Sequence, residues 1–166
     1  MDFAQDGTLI DSSARSRFNS WTYSWRLALD YPVTGGGFEA YTQSLFNLYA
    51  PNPQDVHGPH SIYFGVLAEH GFVGLALYLS LVFSSFLTLR RVGRQARRWG
   101  DIRTANYATM LQMSLIGFLA SGAFLGRAYF DYYFTVVACT VAVSRLWQLD
   151  CLAADSSELI LQEQTA

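Results

Sequence analysis

The chain contains three long stretches that are free of charge or nearly so. They lie at 72–89, 104–126 and 128–144, and only the third contains a charged residue, Asp131. A helix needs about 20 mostly apolar residues to cross the roughly 30 Å core of a bilayer. Helices buried in a soluble bundle are the alternative, but they would show a polar face at helical spacing, and 72–89 offers little beyond serine and threonine. The sequence therefore predicts three transmembrane helices.

The composition agrees with a membrane protein and excludes several functions. Hydrophobic residues make up 51% and aromatic residues 16% of the chain, which excludes disorder, and 14% charged residues is low for a soluble domain. A net charge of −2 argues against a nucleic-acid partner. Two cysteines are too few for a disulfide framework or a cysteine metal site. All eleven basic residues are arginines, which excludes Schiff-base and P-loop lysine chemistry.

The placement of the arginines predicts the orientation of the chain. Segment 90–103 joins the first two stretches, and its six arginines predict a cytoplasmic connector. The region 1–71 then lies outside the cytoplasm, 72–147 holds the three spans, and 148–166 is expected to be a loose cytoplasmic tail. The first region has no hydrophobic signal that would carry it across a membrane. We therefore expect the C-terminal part of a longer polytopic protein, in which Met1 is not the natural start.

The region before the first span is predicted to be helical in parts. Aromatic and aliphatic residues recur at helical spacing over 17–30, which indicates an amphipathic helix that lies on a membrane or on other helices. The residues before it, 11–16, are polar and turn-like, and Pro32 ends the helix. The elements that follow are a glycine turn at 35–37, a mixed helix at 38–49, a loop at 51–59 and a helix at 60–70 that Gly71 breaks or bends.

Histidines near the first span are candidates for chemistry. His57, His60 and His70, with Glu69, could be metal ligands, but the HExxH spacing of a zinc helix is absent, so no metal site is predicted. His60 follows Pro59 at a helix start, and a neutral imidazole there is suited to accept a proton from a hydroxyl. A surface or helix-capping role for His60 is the alternative.

Three arginines flank the predicted amphipathic helix. Arg15 is expected to be solvated, and Arg26 to snorkel or to pair with Asp30. Arg17 stands at the helix entrance, where its forked guanidinium could bind a phosphate. The glycine run at 35–37 is interpreted as a flexible turn, because no phosphate-loop pattern surrounds it.

The stretch HSIYFGVLAEHGFVG, which starts at His60, resembles the H-[NSQ]-x9-G-x2-G signature of the bacterial O-antigen ligase and Wzy polymerase superfamily. Upstream, DSSARSRFNSW and LALDYPVTGGGF resemble the part of these proteins that carries an arginine, a tryptophan and a P-x-x-G-x-G-F turn. The residues around His60 are most similar to those of the exosortase-associated O-glycosylation ligases.

The resemblance implies a membrane glycosyltransferase of the bacterial inner membrane with a GT-C-like fold, acting without metal or cofactor. Such an enzyme transfers a glycan from an undecaprenyl-diphosphate carrier to a hydroxyl of a saccharide, lipid or protein on the periplasmic side. A Wzy-type polymerase and an inactive membrane fragment are the alternatives, and this chain alone is expected to be inactive. A transporter is disfavoured, because only the third stretch contains an ionisable residue.

The resemblance also implies the roles of individual residues. The family's periplasmic histidine corresponds to His60, which would be the base, and its arginine to Arg17, which would bind the diphosphate. The glutamate before the signature glycine corresponds to Glu69. Arg26 and Arg127 are weaker candidates for binding the diphosphate.

Overall fold

The computed structural model describes residues 12–126 and 131–165, with side chains described up to residue 157. The described residues form helices and contain no strand. In chain order the helices are α1 (Ser12–Asp30), α2 (Gln43–Tyr49), α3 (Ile62–Arg98), α4 (Ile102–Gly122) and α5 (Asp131–Thr165). The predicted all-α fold is confirmed.

In the part of the chain that the structure describes, two helices are long and apolar enough to cross a membrane, by their length and composition: Ile62–Arg98 and Asp131–Ser157. They contain the first and most of the third of the predicted spans. The second predicted span, 104–126, coincides over most of its length with α4. Three spans and the GT-C-like architecture stay predictions.

The chain divides into two compact units, which are described separately. One consists of residues 81–118 and 131–165, from α3, α4 and α5. Its buried side chains form two clusters, one around Leu89, Ala108, Leu115 and Val136, and one around Val92, Ala96, Ala105 and Trp147. Large apolar side chains such as Met110, Ile116 and Phe134 point outward from this unit. Outward apolar faces are typical of helices that meet lipid or further helices.

The structure differs from the predicted connector at 90–103. Helix α3 continues through Arg98, and the turn is confined to the three residues before α4. Arginine is a good helix former, and the first break in this segment comes at Gly100, whose φ of 78° is left-handed. Asp101 then caps α4 by accepting the backbone N–H of Thr104 at 3.1 Å. Hydrogen bonds from the side chain and backbone of Thr104 hold the pKa of the Asp101 carboxyl below its ordinary value.

The structure also differs from the loose tail expected at 148–166. Helix α5 extends without a break to Thr165. This tail contains no proline or glycine and is rich in leucine, alanine, glutamine and glutamate, which favour a helix. The described part of the tail is therefore a helix with a polar, solvated surface.

The other unit comprises residues 12–80 and 119–126. Helix α1 begins at Ser12, so the polar residues predicted as a turn form its first part. Helix α2 is shorter than the predicted 38–49, because Thr42 caps it by accepting the N–H of Leu45 at 3.5 Å. The core of this unit consists of fully buried side chains of Tyr23, Leu27, Ala40, Phe46 and Ala68.

Gly71 interrupts α3, as predicted, with φ 65° and ψ −166°. The carbonyl oxygen of Pro32 accepts the backbone N–H of Phe72 at 2.8 Å inside this kink. A Cβ on Gly71 would lie 2.5 Å from that oxygen, and a Cβ on Gly74 would overlap the Cβ of His70. Both glycines of the G-x2-G signature are therefore required by close packing.

The glycine turn at 35–37 packs against the same kink. The N–H of Gly36 donates to the backbone carbonyl oxygen of Ala68 at 2.8 Å, and that of Gly37 donates to the backbone carbonyl oxygen of Glu69 at 3.0 Å. A Cβ on Gly35 would lie 2.6 Å from the backbone of Ala68. These contacts satisfy carbonyls that the kink takes out of the helical hydrogen-bond pattern, and they join the two motifs on which the resemblance depends.

Candidate functional site

Helix α1 holds the loop at 51–60 through the side chain of Asn19. Its Nδ2 donates to the carbonyl oxygens of Asn52 at 2.9 Å and Asp55 at 3.1 Å. Its Oδ1 accepts the N–H of Asn52 at 2.8 Å. Asn19 is buried, so these bonds also satisfy its polar atoms.

The next two residues of α1 hold the end of the loop. Ser20 Oγ donates to the carbonyl oxygen of His57 at 3.0 Å, and Trp21 Nε1 donates to that of Pro59 at 2.7 Å. The Trp21 ring stacks on Phe64, near the start of α3, with 5.0 Å between ring centroids. Helix α1 thus holds the end of the loop just before His60.

His60 is exposed and adopts a left-handed backbone conformation, with φ 46°. Within the described residues it is the one non-glycine residue with positive φ. Such a conformation is uncommon for residues other than glycine, and it is found at functional sites more often than elsewhere. A Cβ on Gly126 would lie 3.4 Å from the Cα of His60, so the end of the 119–126 segment lies against this residue.

A polar groove of about 490 Å³ brings His60 and Arg17 together. It is lined by Ser12, Ser13, Ser16, Arg17, Asp55, His57 and His60. The two residues with the main predicted roles come from the first turns of α1 and the residues before α3. We refer to this groove as the His60 groove.

The His60 groove contains a hydrogen-bonded cluster of three side chains. His57 Nδ1 lies 2.6 Å from Asp55 Oδ1. Ser16 Oγ donates to Asp55 Oδ1 at 3.2 Å and lies 3.3 Å from His57 Nδ1. We call Ser16, Asp55 and His57 the loop cluster. The sequence alone indicates no role for Ser16 or Asp55, and it suggests His57 only as a possible metal ligand. The signal that could have found the cluster is the pattern Asp55-x-His57-x-x-His60 within one short loop.

A second groove, of about 580 Å³, shares Ser12, Ser16 and Asp55 with the His60 groove. It adds the side chains of Arg15 and Gln54 and the exposed ring of Phe18. Arg15, predicted to be solvated, is exposed there. Ser16 and Asp55 of the loop cluster thus line both grooves, whereas His57 lines the His60 groove.

The structure does not bring Arg26 to the His60 groove. Arg26 lies nine residues after Arg17, which places it on the opposite face of α1 and about 14 Å further along the axis. Its Nη1 donates to the carbonyl oxygen of Tyr49 at 3.2 Å. Arg26 therefore contacts the end of α2, and the prediction that it joins Arg17 at one diphosphate site has no support from this geometry.

Glu69 and Arg127 complete the predicted site residues. Glu69 is not among the residues that line the His60 groove, and its carbonyl oxygen is bonded to Gly37 in the kink of α3. Arg127 lies outside the described residues. Among the residues that the structure describes, no three His, Cys, Asp or Glu side chains are grouped to hold a metal ion.

Residues 5–79 match a family model described as O-antigen ligase. The matched segment contains α1, α2, the start of α3 and every residue that lines the His60 groove. No curated protein and no solved structure matches the chain. The family resemblance predicted from the motif around His60 is confirmed, whereas the exosortase-associated subgroup stays a prediction. Residues 5–79 are therefore similar to the O-antigen ligase family, which is consistent with the O-antigen ligase and Wzy polymerase superfamily.

Proposed function

We propose that the chain belongs to a membrane glycosyltransferase that moves a glycan from undecaprenyl diphosphate to an acceptor hydroxyl. The observation that carries this proposal is the His60 groove, in which an imidazole and a guanidinium lie within the segment that matches the O-antigen ligase family model. A sugar diphosphate already has a good leaving group. The protein must therefore supply a proton acceptor for the hydroxyl and positive charge for the departing diphosphate, and His60 and Arg17 are groups of these two kinds.

In the proposed reaction, His60 takes the proton of the acceptor hydroxyl as its oxygen attacks the anomeric carbon of the glycan. The bond between that carbon and the diphosphate oxygen breaks, and the diphosphate leaves with the electron pair. Arg17 donates hydrogen bonds to the diphosphate, whose charge rises as the bond breaks. A positioned base contributes about 10²- to 10⁴-fold to the rate.

The reaction is proposed for the periplasmic side of the bacterial inner membrane. The support is the Arg-rich C-terminal part of α3, which the positive-inside rule places in the cytoplasm. His60, in the His60 groove, comes two residues before the start of α3 in the sequence, and the kink at Gly71 follows it. An alkaline phosphatase fusion at Pro59 is expected to be active, and activity of a cytoplasmic reporter there instead would contradict the orientation.

The proposed activity is tested with the full gene product reconstituted in liposomes containing an undecaprenyl-diphosphate-linked glycan from the same cells. With acceptor extracted from the same envelope, we expect glycan on the acceptor and free undecaprenyl diphosphate, also in the presence of EDTA. Transfer of one glycan block indicates a ligase, and chains of repeat units indicate a Wzy-type polymerase. The absence of any transfer would contradict the proposal.

A further inference from the structure

The loop cluster determines which nitrogen of His57 is free. The Asp55 carboxylate accepts hydrogen bonds and does not donate them, so the contact of 2.6 Å requires a proton on His57 Nδ1. In the neutral ring the other nitrogen, Nε2, then carries a lone pair. No described residue forms a hydrogen bond with Nε2, and the His57 side chain is 52% exposed in the wall of the His60 groove.

The ring of His57 is also held in place. Ser16 bonds the partner carboxylate, which is itself only 23% exposed. The backbone is held as well: the side chain of Ser20 donates to the carbonyl oxygen of His57, and that of Asn19 donates to the carbonyl oxygen of Asp55. Fixing both the side chain and its peptide lowers the entropy that a ligand would otherwise lose on ordering this group. A fixed imidazole with one free acceptor nitrogen is suited to bind a hydrogen-bond donor.

We propose that His57 binds the acceptor, accepting through Nε2 a hydrogen bond from an acceptor hydroxyl, with Asp55 and Ser16 as its positioning residues. This inference rests on the proposed function. A hydroxyl donates to Nε2, whereas the oxygens of an ionised diphosphate only accept. The Asp55 carboxylate also repels an anion at this end of the groove. The acceptor therefore lies at the loop cluster, and the diphosphate lies at Arg17.

A matched pair of substitutions separates the two ring nitrogens. His57→Gln places an amide near the position of Nε2, and His57→Asn places one near Nδ1. Transfer is measured against acceptor concentration at saturating donor, and then with the two exchanged. We expect His57→Asn to raise the acceptor KM about tenfold, as for the loss of one hydrogen bond. His57→Gln should stay within about threefold of the wild-type value, and the donor KM should not change in either variant.

Asp55→Asn tests the positioning role while His57 stays in place. An asparagine can also donate to Nδ1, so the ring is no longer restricted to one tautomer. The acceptor KM should rise about threefold in this variant and should not rise further when Asp55→Asn is added to His57→Asn. Thermal unfolding followed by tryptophan fluorescence shows whether each variant is folded.

Several results would overturn the inference. They are equal acceptor KM values for His57→Gln and His57→Asn, an equal rise in donor KM, or an unchanged acceptor KM in Asp55→Asn. If these occur while His60→Asn abolishes transfer, the inference about His57 is wrong and the proposed function stands. If the wild-type protein transfers nothing, the proposed function fails and this inference fails with it.

Discussion

The indole N–H of Trp21 donates to the carbonyl oxygen of Pro59 at 2.7 Å, one residue before His60. Pro59 is buried, and its carbonyl oxygen would lose a partner without this bond. The bond therefore ties α1 to the residue that leads into the left-handed backbone of His60. Arg17 and Trp21 lie one turn apart on α1, so the bond also connects Arg17 with His60, which is distant in the sequence.

Replacing Trp21 by phenylalanine should lower both the rate of glycan transfer and the stability. The phenylalanine ring can still stack on Phe64, but the Pro59 oxygen loses its donor, at a cost of about 1–3 kcal/mol. We expect transfer to fall at least tenfold in initial-rate assays, since His60 is no longer held. Trp25→Phe is the matched control, because the Trp25 ring packs on Phe72 and its indole N–H has no hydrogen-bond partner among the described residues. Similar losses in both variants would contradict the role of the bond.

Gly71→Ala and Gly35→Ala should each strongly destabilise the unit of residues 12–80 and 119–126. Both positions have positive φ, which costs a non-glycine residue about 1–2 kcal/mol, and in both a Cβ would overlap backbone atoms. We expect each variant to unfold well below the wild-type temperature when tryptophan fluorescence is followed on heating.

Two other glycines provide matched controls for this prediction. Gly37 has a φ of 76° but open space around its Cβ position, so Gly37→Ala should cost only the backbone term of about 1–2 kcal/mol. Gly58 has neither restriction, and Gly58→Ala should leave the unfolding temperature nearly unchanged. Equal stability of all four variants would contradict the close packing of the glycine turn on the kink.

The sequence alone predicts the helices around the site well where a local signal exists. Pro32 ends α1, Gly71 interrupts α3, and the apolar stretch that begins at Phe72 is helical throughout. The predicted helix boundaries are wrong where a polar or charged segment is expected to be a loop. Arginines at 90–98 and the acidic tail after residue 148 are helical, because helix propensity does not require an apolar face.

The site itself is only partly predictable, since its geometry depends on contacts between distant residues. His60 and Arg17 emerge from motif and residue chemistry, and the fold does bring them to one groove. Arg26 is a weaker candidate cation in sequence, and its hydrogen bond to the carbonyl oxygen of Tyr49 shows that it contacts the end of α2. Asp55 and Ser16 are ordinary polar residues until the fold places them, 39 residues apart in sequence, around His57.

Tyr23→Phe should destabilise the core of the unit formed by residues 12–80 and 119–126. The buried Tyr23 hydroxyl donates to the carbonyl oxygen of Ala40, and phenylalanine would leave that oxygen without this donor. The expected loss is about 1–3 kcal/mol in the free energy of unfolding, measured in denaturant. Tyr107→Phe is the control, because Tyr107 is exposed and its loss of a hydroxyl should be nearly neutral. Equal stability of Tyr23→Phe and wild type would contradict the buried bond.

The titration of Tyr23 should also make the free energy of unfolding depend on pH in the alkaline range. Burial, followed by the nearby Tyr49, raises the pKa of Tyr23 above its ordinary value of 10.0. The folded state therefore holds this proton more tightly than the unfolded state does. The stabilisation is fully present below pH 10, and it is lost as the pH rises through the folded pKa. Tyr23→Phe should show a smaller loss of stability between pH 10 and pH 12 than wild type, and identical pH profiles would contradict this.

Arg17→Lys should impair transfer even though it keeps the positive charge. Lysine lacks the planar fork that binds two phosphate oxygens at once, so the contact to the diphosphate weakens. We expect kcat/KM for the lipid-linked donor to fall about 10- to 100-fold, corresponding to one charge-assisted hydrogen bond. Arg98→Lys, at the exposed end of α3, is the matched control and should transfer normally. Full activity of Arg17→Lys would exclude the proposed role of the guanidinium.

The central claim is that His60 takes the proton of the acceptor hydroxyl, and glycan transfer by His60→Asn tests it most directly. Asparagine tolerates the left-handed backbone that His60 adopts, so the loop should keep its conformation while the imidazole is lost. In the reconstituted full gene product, we predict a fall in the transfer rate of about two to four orders of magnitude, with an unchanged unfolding temperature. Transfer at the wild-type rate by a folded His60→Asn protein would contradict the account.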